Sequence, residues 1–428
     1  MMQRYEKYKD SGVDWIGEIP KHWECKRLGT WFTERREKVS DKDYAPLSVT
    51  KNGVVPQLDN AAKSNDGDNR KLVKDGDFVI NSRSDRKGSS GLSVLDGSVS
   101  LINIVMKPRN IDGKFSQYLL KSRAFVEEFY RNGHGIVADL WTTRFDEMKF
   151  INISIPPIKE QQTIATFLDD KTAKIDQTIA NKEKEIELLK ERRQILIQKA
   201  VTKGLDDTVK LKDSGVDWIG EIPEHWEVRK LKYCLSSKLK YGANESGVDY
   251  DLELPRYVRI TDFGFDGKLS EDKKLSLTWH QGKDYLLKDG DILFARSGAT
   301  VGKSYQFKTS MSFEKHYSFA GYLIKAEANE EILLSDYLYL YTNSNLFDNW
   351  KSAIFNKATI ENIGADKYST LSVVVPPVKE QEEILLEYSS KNEKIAKAIL
   401  LKQQEIEKLK EYKTVLIDNV VTGKVRVR

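Results

Sequence analysis

Cysteine is nearly missing from this chain: Cys25 and Cys234 are the two thiols in 428 residues. Two thiols so far apart make no disulfide framework, and neither stands in a metal-ligand spacing. Histidine is almost as scarce, and its five copies form no H-E-x-x-H and no Cys/His cluster. No run of about 18 apolar residues occurs, so no transmembrane helix and no membrane association is expected. The first residues, MMQRYEKYKDSG, are charged and hold no apolar stretch, so no secretory signal is expected either. A bacterial-type cytoplasmic location is the expectation.

Catalytic signatures are lacking too. GATVGKS (298–304) approaches a phosphate-binding loop, but G-x-x-x-x-G-K-[ST] needs one more residue between Gly298 and Gly302. Asp14 followed by Glu24-Cys25-Lys26 has the outline of a nuclease D…ExK set, yet its counterpart, Glu227-Val228-Arg229, lacks the lysine. No Gly-rich methyl-donor pocket and no G-x-S-x-G appear. Pro156-Pro157 and Pro376-Pro377 are flanked by Ile and Val, unlike an (N/D)PP(Y/F) tetrad. No catalytic residue, metal ligand or cofactor site is assigned. Such a chain is expected to read something and to leave the reaction to another chain.

What is present is ordinary in bulk. Apolar residues make up 39% and charged residues 31%, enough for globular domains with full cores. The 69 Lys and Arg against 65 Asp and Glu leave +4, which permits a nucleic-acid partner without requiring one.

The informative feature is self-similarity. DSGVDWIGEIPKHWE (10–24) returns as DSGVDWIGEIPEHWE (213–227), displaced by 203 with one change, Lys21 to Glu224. LVKDGDFVI (72–80) answers LLKDGDILF (286–294) at 214, and ISIPPIKEQQ (153–162) answers SVVVPPVKEQE (372–382) at 220. The growing displacement places insertions in the second copy. Two units follow one plan, with matched ends and divergent middles. The expected divisions are 1–27 and 206–230 as anchor repeats, 28–152 and 231–371 as bodies, and 153–205 and 372–428 as helices.

The helical segments carry a seam. Between Lys159 and Thr202 there is no Gly or Pro, and Pro156-Pro157 supplies a start. Leu168, Ile175, Lys182, Leu189 and Leu196 form one heptad row, and Thr172, Ile179, Ile186, Arg193 and Ala200 the other. The second unit repeats them as Tyr388, Ile395, Lys402, Leu409, Leu416 and Asn392, Ile399, Ile406, Lys413, Val420. Two sustained rows predict coiled-coil packing, with the polar members setting register. Two separate amphipathic helices, each lying on its own domain, would show the same rows. With a pseudo-two-fold relation the helices run antiparallel and carry the bodies to opposite ends. Trp15, Ile16, Ile19, Pro20 and Trp23, with Trp218, Ile219, Ile222, Pro223 and Trp226, have the bulk to anchor each body; ligand contact by the tryptophans is the alternative.

The bodies read as mixed α+β. DFVINS and DILFARS follow Asp-Gly turns as strands. FSQYLLKSRAFVEEFYRNG (115–133) and LSDYLYLYTNSNLFDNWKSA (334–353) have helical spacing. After each strand comes a loop mixing basic residues with Gly, Ser and Thr. NSRSDRKGSSG carries Arg83, Arg86 and Lys87, and ARSGATVGKS carries Arg296, Ser297 and Lys303. Arg can grip guanine in the major groove, and hydroxyls suit phosphate oxygens. Solvated surface loops have the same composition.

The twin DSGVDWIGEIPxHWE peptides, the PPIKEQ and PPVKEQ helix starts and the KDGD…RSG stretch, in this order over nearly the whole chain, resemble the specificity subunits of type I restriction–modification systems. SRSDRKGSSG departs from the RSGATVGK form, so the loop of the first body should differ in shape. The resemblance implies two target-recognition domains, α+β in class, joined by two long antiparallel coiled-coil helices in a pseudo-two-fold repeat. Each would read half of a bipartite, asymmetric double-stranded DNA site. It also implies two methyltransferase subunits that methylate adenine with S-adenosylmethionine, and motor–nuclease subunits that use ATP and Mg. The chain itself would be a non-catalytic specificity subunit. A helical scaffold whose bodies bind something other than nucleic acid is the alternative.

Overall fold

The computed structural model describes residues 3–59, 67–135, 141–206, 208–264, 267–297, 301–355 and 362–427. The chain divides into two compact units, 1–183 with 402–428, and 184–401.

Unit 1 begins with a hairpin in which Tyr8–Asp10 pairs antiparallel with Glu18–Pro20, Tyr8 facing Pro20. The next strand, Glu24–Arg27, pairs with Asn152–Ile155, the last strand before the long helix. The body therefore starts and ends on one two-stranded neck. Its main sheet runs Ser90–Leu92, Phe78–Asn81, Asn103–Pro108, Phe32–Glu34, with neighbours hydrogen-bonded.

Unit 2 repeats this. Leu211–Asp213 pairs with Glu221–Pro223, and Glu227–Lys230 pairs with Ser372–Val375. Its corresponding sheet runs Ser304–Gln306, Ile292–Ala295, Leu323–Ala326, Lys240–Tyr241. The second sheets differ. In unit 2, Arg256–Val258 runs parallel to Tyr317–Phe319, whereas the strands Lys38–Val39, Arg70–Val73 and Gly97–Val99 of unit 1 are antiparallel. Unlike middles thus share one central sheet.

The segments with helical spacing are each broken in two. In unit 1, Gly113–Lys121 and Arg123–Arg131 meet at Ser122, which is extended (φ −60°, ψ 146°) and accepts from the Phe125 N–H. A short hydroxyl side chain at this point caps the second helix better than it continues the first. In unit 2, Ser335–Thr342 and Asn345–Phe355 break at Asn343-Ser344.

The long helices are Ile158–Thr202 and Val378–Val421. Within unit 1, Ile164, Leu168 and Ile175 share a core with Leu416, Val420 and Val421. Lys182 bonds Glu405 and Asp176 bonds Lys413, so these stretches run antiparallel. Within unit 2, Ile197, Ala200 and Val201 share a core with Ile384. Every residue of the two heptad rows is buried or half-buried. Of the polar seam members, Thr172 donates to the Leu168 carbonyl, and Lys413 reaches both Asp176 oxygens at 2.7 Å.

The anchor residues lie in these cores. Ile16, Ile19 and Trp23 join the first, and Ile219, Ile222 and Trp226 the second. Trp15 and Trp218 are half-buried beside them. Each long helix ends on a left-handed glycine under a tryptophan. At Gly423 (φ +75°) a Cβ would lie 2.4 Å from Pro20 and 3.1 Å from Trp23; at Gly204 (φ +71°) it would lie 2.8 Å from Trp226. Only a residue without a Cβ fits both the turn and the contact.

Among the described residues no helix is long and apolar enough to cross a membrane, and no cluster of His, Cys, Asp and Glu could hold a metal ion.

Candidate nucleic-acid interface

Each repeated motif has a bonding role, beginning at the neck. His22 Nε2 lies 2.7 Å from Glu160 Oε2, and Trp23 Nε1 donates to Glu160 Oε1 at 3.2 Å. His225 meets Glu380 at 2.8 Å in the same way. The following glutamine is fully buried in both units. Gln161 donates to the Pro156 carbonyl at 2.8 Å and accepts from the Asp112 N–H at 2.7 Å, just before the Gly113 helix. Gln381 donates to Pro376 and accepts from the Leu334 N–H, both at 2.8 Å, just before the Ser335 helix. HW and KEQ are therefore two halves of one clamp that fixes body to long helix. Sequence reading found both peptides but missed their pairing; their joint duplication is the signal that could have revealed it.

The KDGD turns aim the hairpins that carry the basic loops. Gly76 and Gly290 take positive φ, 83° and 85°. The carboxylate behind each is buried and accepts from the backbone three residues earlier, Lys74 N–H to Asp77 and Lys288 N–H to Asp291, both at 2.8 Å. Asp77 also takes a two-bond grip from Arg35 (2.7 and 3.1 Å). Asp291 has Lys325 at 3.0 Å, and burial nonetheless pushes its carboxyl above the ordinary value. These carboxylates hold the turn.

From each turn a strand leads to a hairpin tip. Phe78–Asn81 pairs with Ser90–Leu92, and Ile292–Ala295 pairs with Ser304–Gln306. Arg83, Arg86 and Lys87 share the first tip, where Ser84–Arg86 forms one turn of 3-10 helix. All three side chains are exposed. Arg83 bridges to Thr142 through the backbone, Arg86 lies 3.5 Å from Asp85, and Lys87 pairs with Glu127 at 2.6 Å. Arg296, Ser297 and Lys303 share the second tip. Arg296 lies over the Tyr241 ring at 5.1 Å, Ser297 bridges to Asn362, and Lys303 Nζ donates to the Phe263 carbonyl at 2.6 Å. The structure thus gathers each predicted trio on one tip, at matching places in two sheets of the same order. It also adds residues the sequence did not single out: Thr142, Tyr241 and Asn362.

Gly298 to Thr300 of the GATVGKS stretch lie outside the described residues. Lys303 precedes the strand Ser304–Gln306. A phosphate-binding loop needs a helix N-terminus there, whereas Lys303 leads into a strand. A charged cluster is internal to the second body of unit 2. Arg256 lies 2.9 Å from Glu271 and 3.2 Å from Glu314, and Lys274 lies 3.1 Å from Glu314. Burial raises the Glu314 pKa, but the bonds from Tyr317 and Lys274 and the Arg256 charge outweigh it and hold the group at about 2.

Comparisons with known proteins bear on this arrangement. A family model described as the type I restriction modification DNA specificity domain matches residues 20–188. The chain is 25% identical to the specificity subunit of the type I restriction enzyme MjaVIII of Methanocaldococcus jannaschii, over 96% of this chain and 94% of that one. It is 28% identical to the specificity subunit of EcoKI of Escherichia coli, over 55% of this chain and 49% of that one. A chain solved in work on assembly and conformational transition of a type I R-M system superposes with a TM-score of 0.73 at 14% identity, covering 94% of this chain and 98% of that one. The HsdS subunit from Thermoanaerobacter tengcongensis superposes at 0.53 with 15% identity, covering 95% and 98%.

Proposed function

Because this chain belongs to the specificity subunits of type I restriction–modification systems, we propose that each hairpin tip reads one half of a bipartite, asymmetric DNA site. One observation carries the reading. Two tips of unlike sequence stand at matching places on one duplicated frame, and the clamp that fixes each body is repeated almost bond for bond. Basic, hydroxyl-bearing tips suit phosphate and base edges.

Arg83, Arg86, Lys87, Arg296, Ser297 and Lys303 are the proposed contacts. The half-sites would each span about 3–5 base pairs, separated by about 5–8 unread pairs, since readers on one face of a duplex meet it about one turn apart. The paired helices would set that spacer. The chain would carry no cofactor and perform no catalysis. Two methyltransferase subunits with S-adenosylmethionine would modify adenine, and motor–nuclease subunits with ATP and Mg would cleave.

Adenine-methylation mapping of a host carrying the chain with its partners tests this. The expected result is one split, asymmetric motif; replacing residues 28–152 by a relative's body should change one half alone. A motif changed in both halves sinks independent reading. Binding should weaken by orders of magnitude between about 50 and 200 mM salt; a salt-indifferent complex would favour the non-nucleic-acid scaffold.

A further inference from the structure

Each tip leans on a neighbouring turn, and the two turns are held alike. In the first body the Ser82 N–H donates to the Ile102 carbonyl at 3.3 Å; in the second the Arg296 N–H donates to the Tyr322 carbonyl at 3.0 Å. Each turn leads into the strand that pairs with the hairpin, Asn103–Pro108 or Leu323–Ala326. Both present large side chains to solvent: Leu101 is 42% exposed, Ile102 38% and Tyr322 64%. Single exposed apolar residues are ordinary on a protein surface. Here the same place is used in two unlike bodies, beside the same basic tip, with different chemistry.

We propose that these turns, Leu101-Ile102 in the first body and Tyr322 in the second, are base-reading elements that set what each half-site prefers. The inference rests on the DNA-recognition reading above and assigns specificity to residues outside the basic loops. The aliphatic pair fits the 5-methyl edge of thymine, which apolar side chains meet in the major groove. The second tip offers polar chemistry. Arg296, next to Ser297 in the chain, stands on the half-exposed Tyr241 ring, and its backbone N–H holds the Tyr322 turn. A guanidinium donor and the exposed phenol of Tyr322 together match hydrogen-bonding base edges. The two halves of the site therefore differ in kind: the half read by the first body contains a methyl-read thymine, and the half read by the second is read through hydrogen bonds.

The test uses the chain assembled with its methyltransferase subunits and a duplex carrying the motif mapped for the unaltered protein. Uracil replaces each thymine in turn, removing one methyl group. In the half read by the first body, one such replacement should weaken binding about fourfold, the effect of one methyl-sized contact. The double variant Leu101→Ser, Ile102→Ser should accept cytosine there and lose the response to uracil. Tyr322→Ser should relax one position of the other half only. Unaltered thermal melting of these surface variants serves as the folding control. Uracil without effect in that half, or variants with unchanged preference, overturns the proposal and leaves DNA reading intact. An unaltered complex with no sequence preference would overturn the DNA reading itself.

Discussion

The necks of the two units repeat almost bond for bond, whereas the bodies they carry share a central sheet and diverge around it. His22 meets Glu160 and Gln161 donates to the Pro156 carbonyl, as His225 meets Glu380 and Gln381 donates to the Pro376 carbonyl. The second sheets differ even in strand direction. A clamp has one geometric solution, and every atom of it is specified. A reading surface needs a fixed platform and a variable edge. On the reading proposed above, tip and turn would be that edge, with the KDGD turn aiming each tip and a backbone hydrogen bond joining it to its turn.

The comparison breaks most readily at the tryptophans. Trp23→Ala and Trp226→Ala each remove a fully buried indole and should cost about 3–5 kcal/mol in denaturant unfolding. Equal costs support a duplicated frame; a large difference would show that one unit leans on something else. The milder Trp→Phe pair sharpens the point. Trp23 Nε1 bonds Glu160 while Trp226 Nε1 has no partner, so Trp23→Phe should cost about 1 kcal/mol more.

The glutamine clamp comes next. Gln161→Leu and Gln381→Leu keep the apolar fill but strand the Asp112 and Leu334 N–H groups, at about 1–3 kcal/mol each. Unfolding of the two variants should show similar losses. A near-zero cost at either site would mean that the helix N-terminus beside it finds another acceptor.

The frame was legible because it occurs twice. Matching peptides at displacements of 203, 214 and 220, a Gly-free stretch and heptad rows define the long helices and the anchors, and Lys182 and Lys413 stand in the seam as spaced. The helix pair in each body was not legible as a pair. Spacing runs smoothly through Ser122, and only the backbone shows that its hydroxyl turns to capping. Arg83 and Arg296 could be singled out by composition, since they sit in a basic loop after a KDGD strand. Tyr322 could not: an isolated aromatic after Ala-Gly signals nothing until a hydrogen bond places it against Arg296.

Acid offers a test of the second body. Glu314 is buried among Arg256, Lys274 and Tyr317 and is held at about 2, below its ordinary 4.5. A carboxyl depressed on folding contributes stability above its unfolded value, and that contribution is lost as pH falls through the folded one. The second body should therefore weaken between about pH 4.5 and pH 2. Hydrogen exchange resolved by body should report this loss, and Glu314→Gln should flatten it while lowering stability at neutral pH. Identical acid profiles for the variant and the unaltered chain would deny Glu314 this role.

The smallest expected effect lies in the helix seam, where the repeat is imperfect. In unit 1 Lys413 meets Asp176. The corresponding pair in unit 2, at the same displacement of 220, is Arg193 and Ala396, and the Arg193 Nε lacks a hydrogen-bond partner. Ala396→Asp would restore the missing acid. Because such a pair is partly exposed, it should stabilise by no more than about 0.5–1 kcal/mol, and the gain should vanish in high salt. A rise in the denaturation midpoint at low salt that disappears at high salt would show that the two seams follow one design with one acid absent. A loss of stability would mean that the small residue at 396 is required by packing, and that the seams diverge in shape as well as charge.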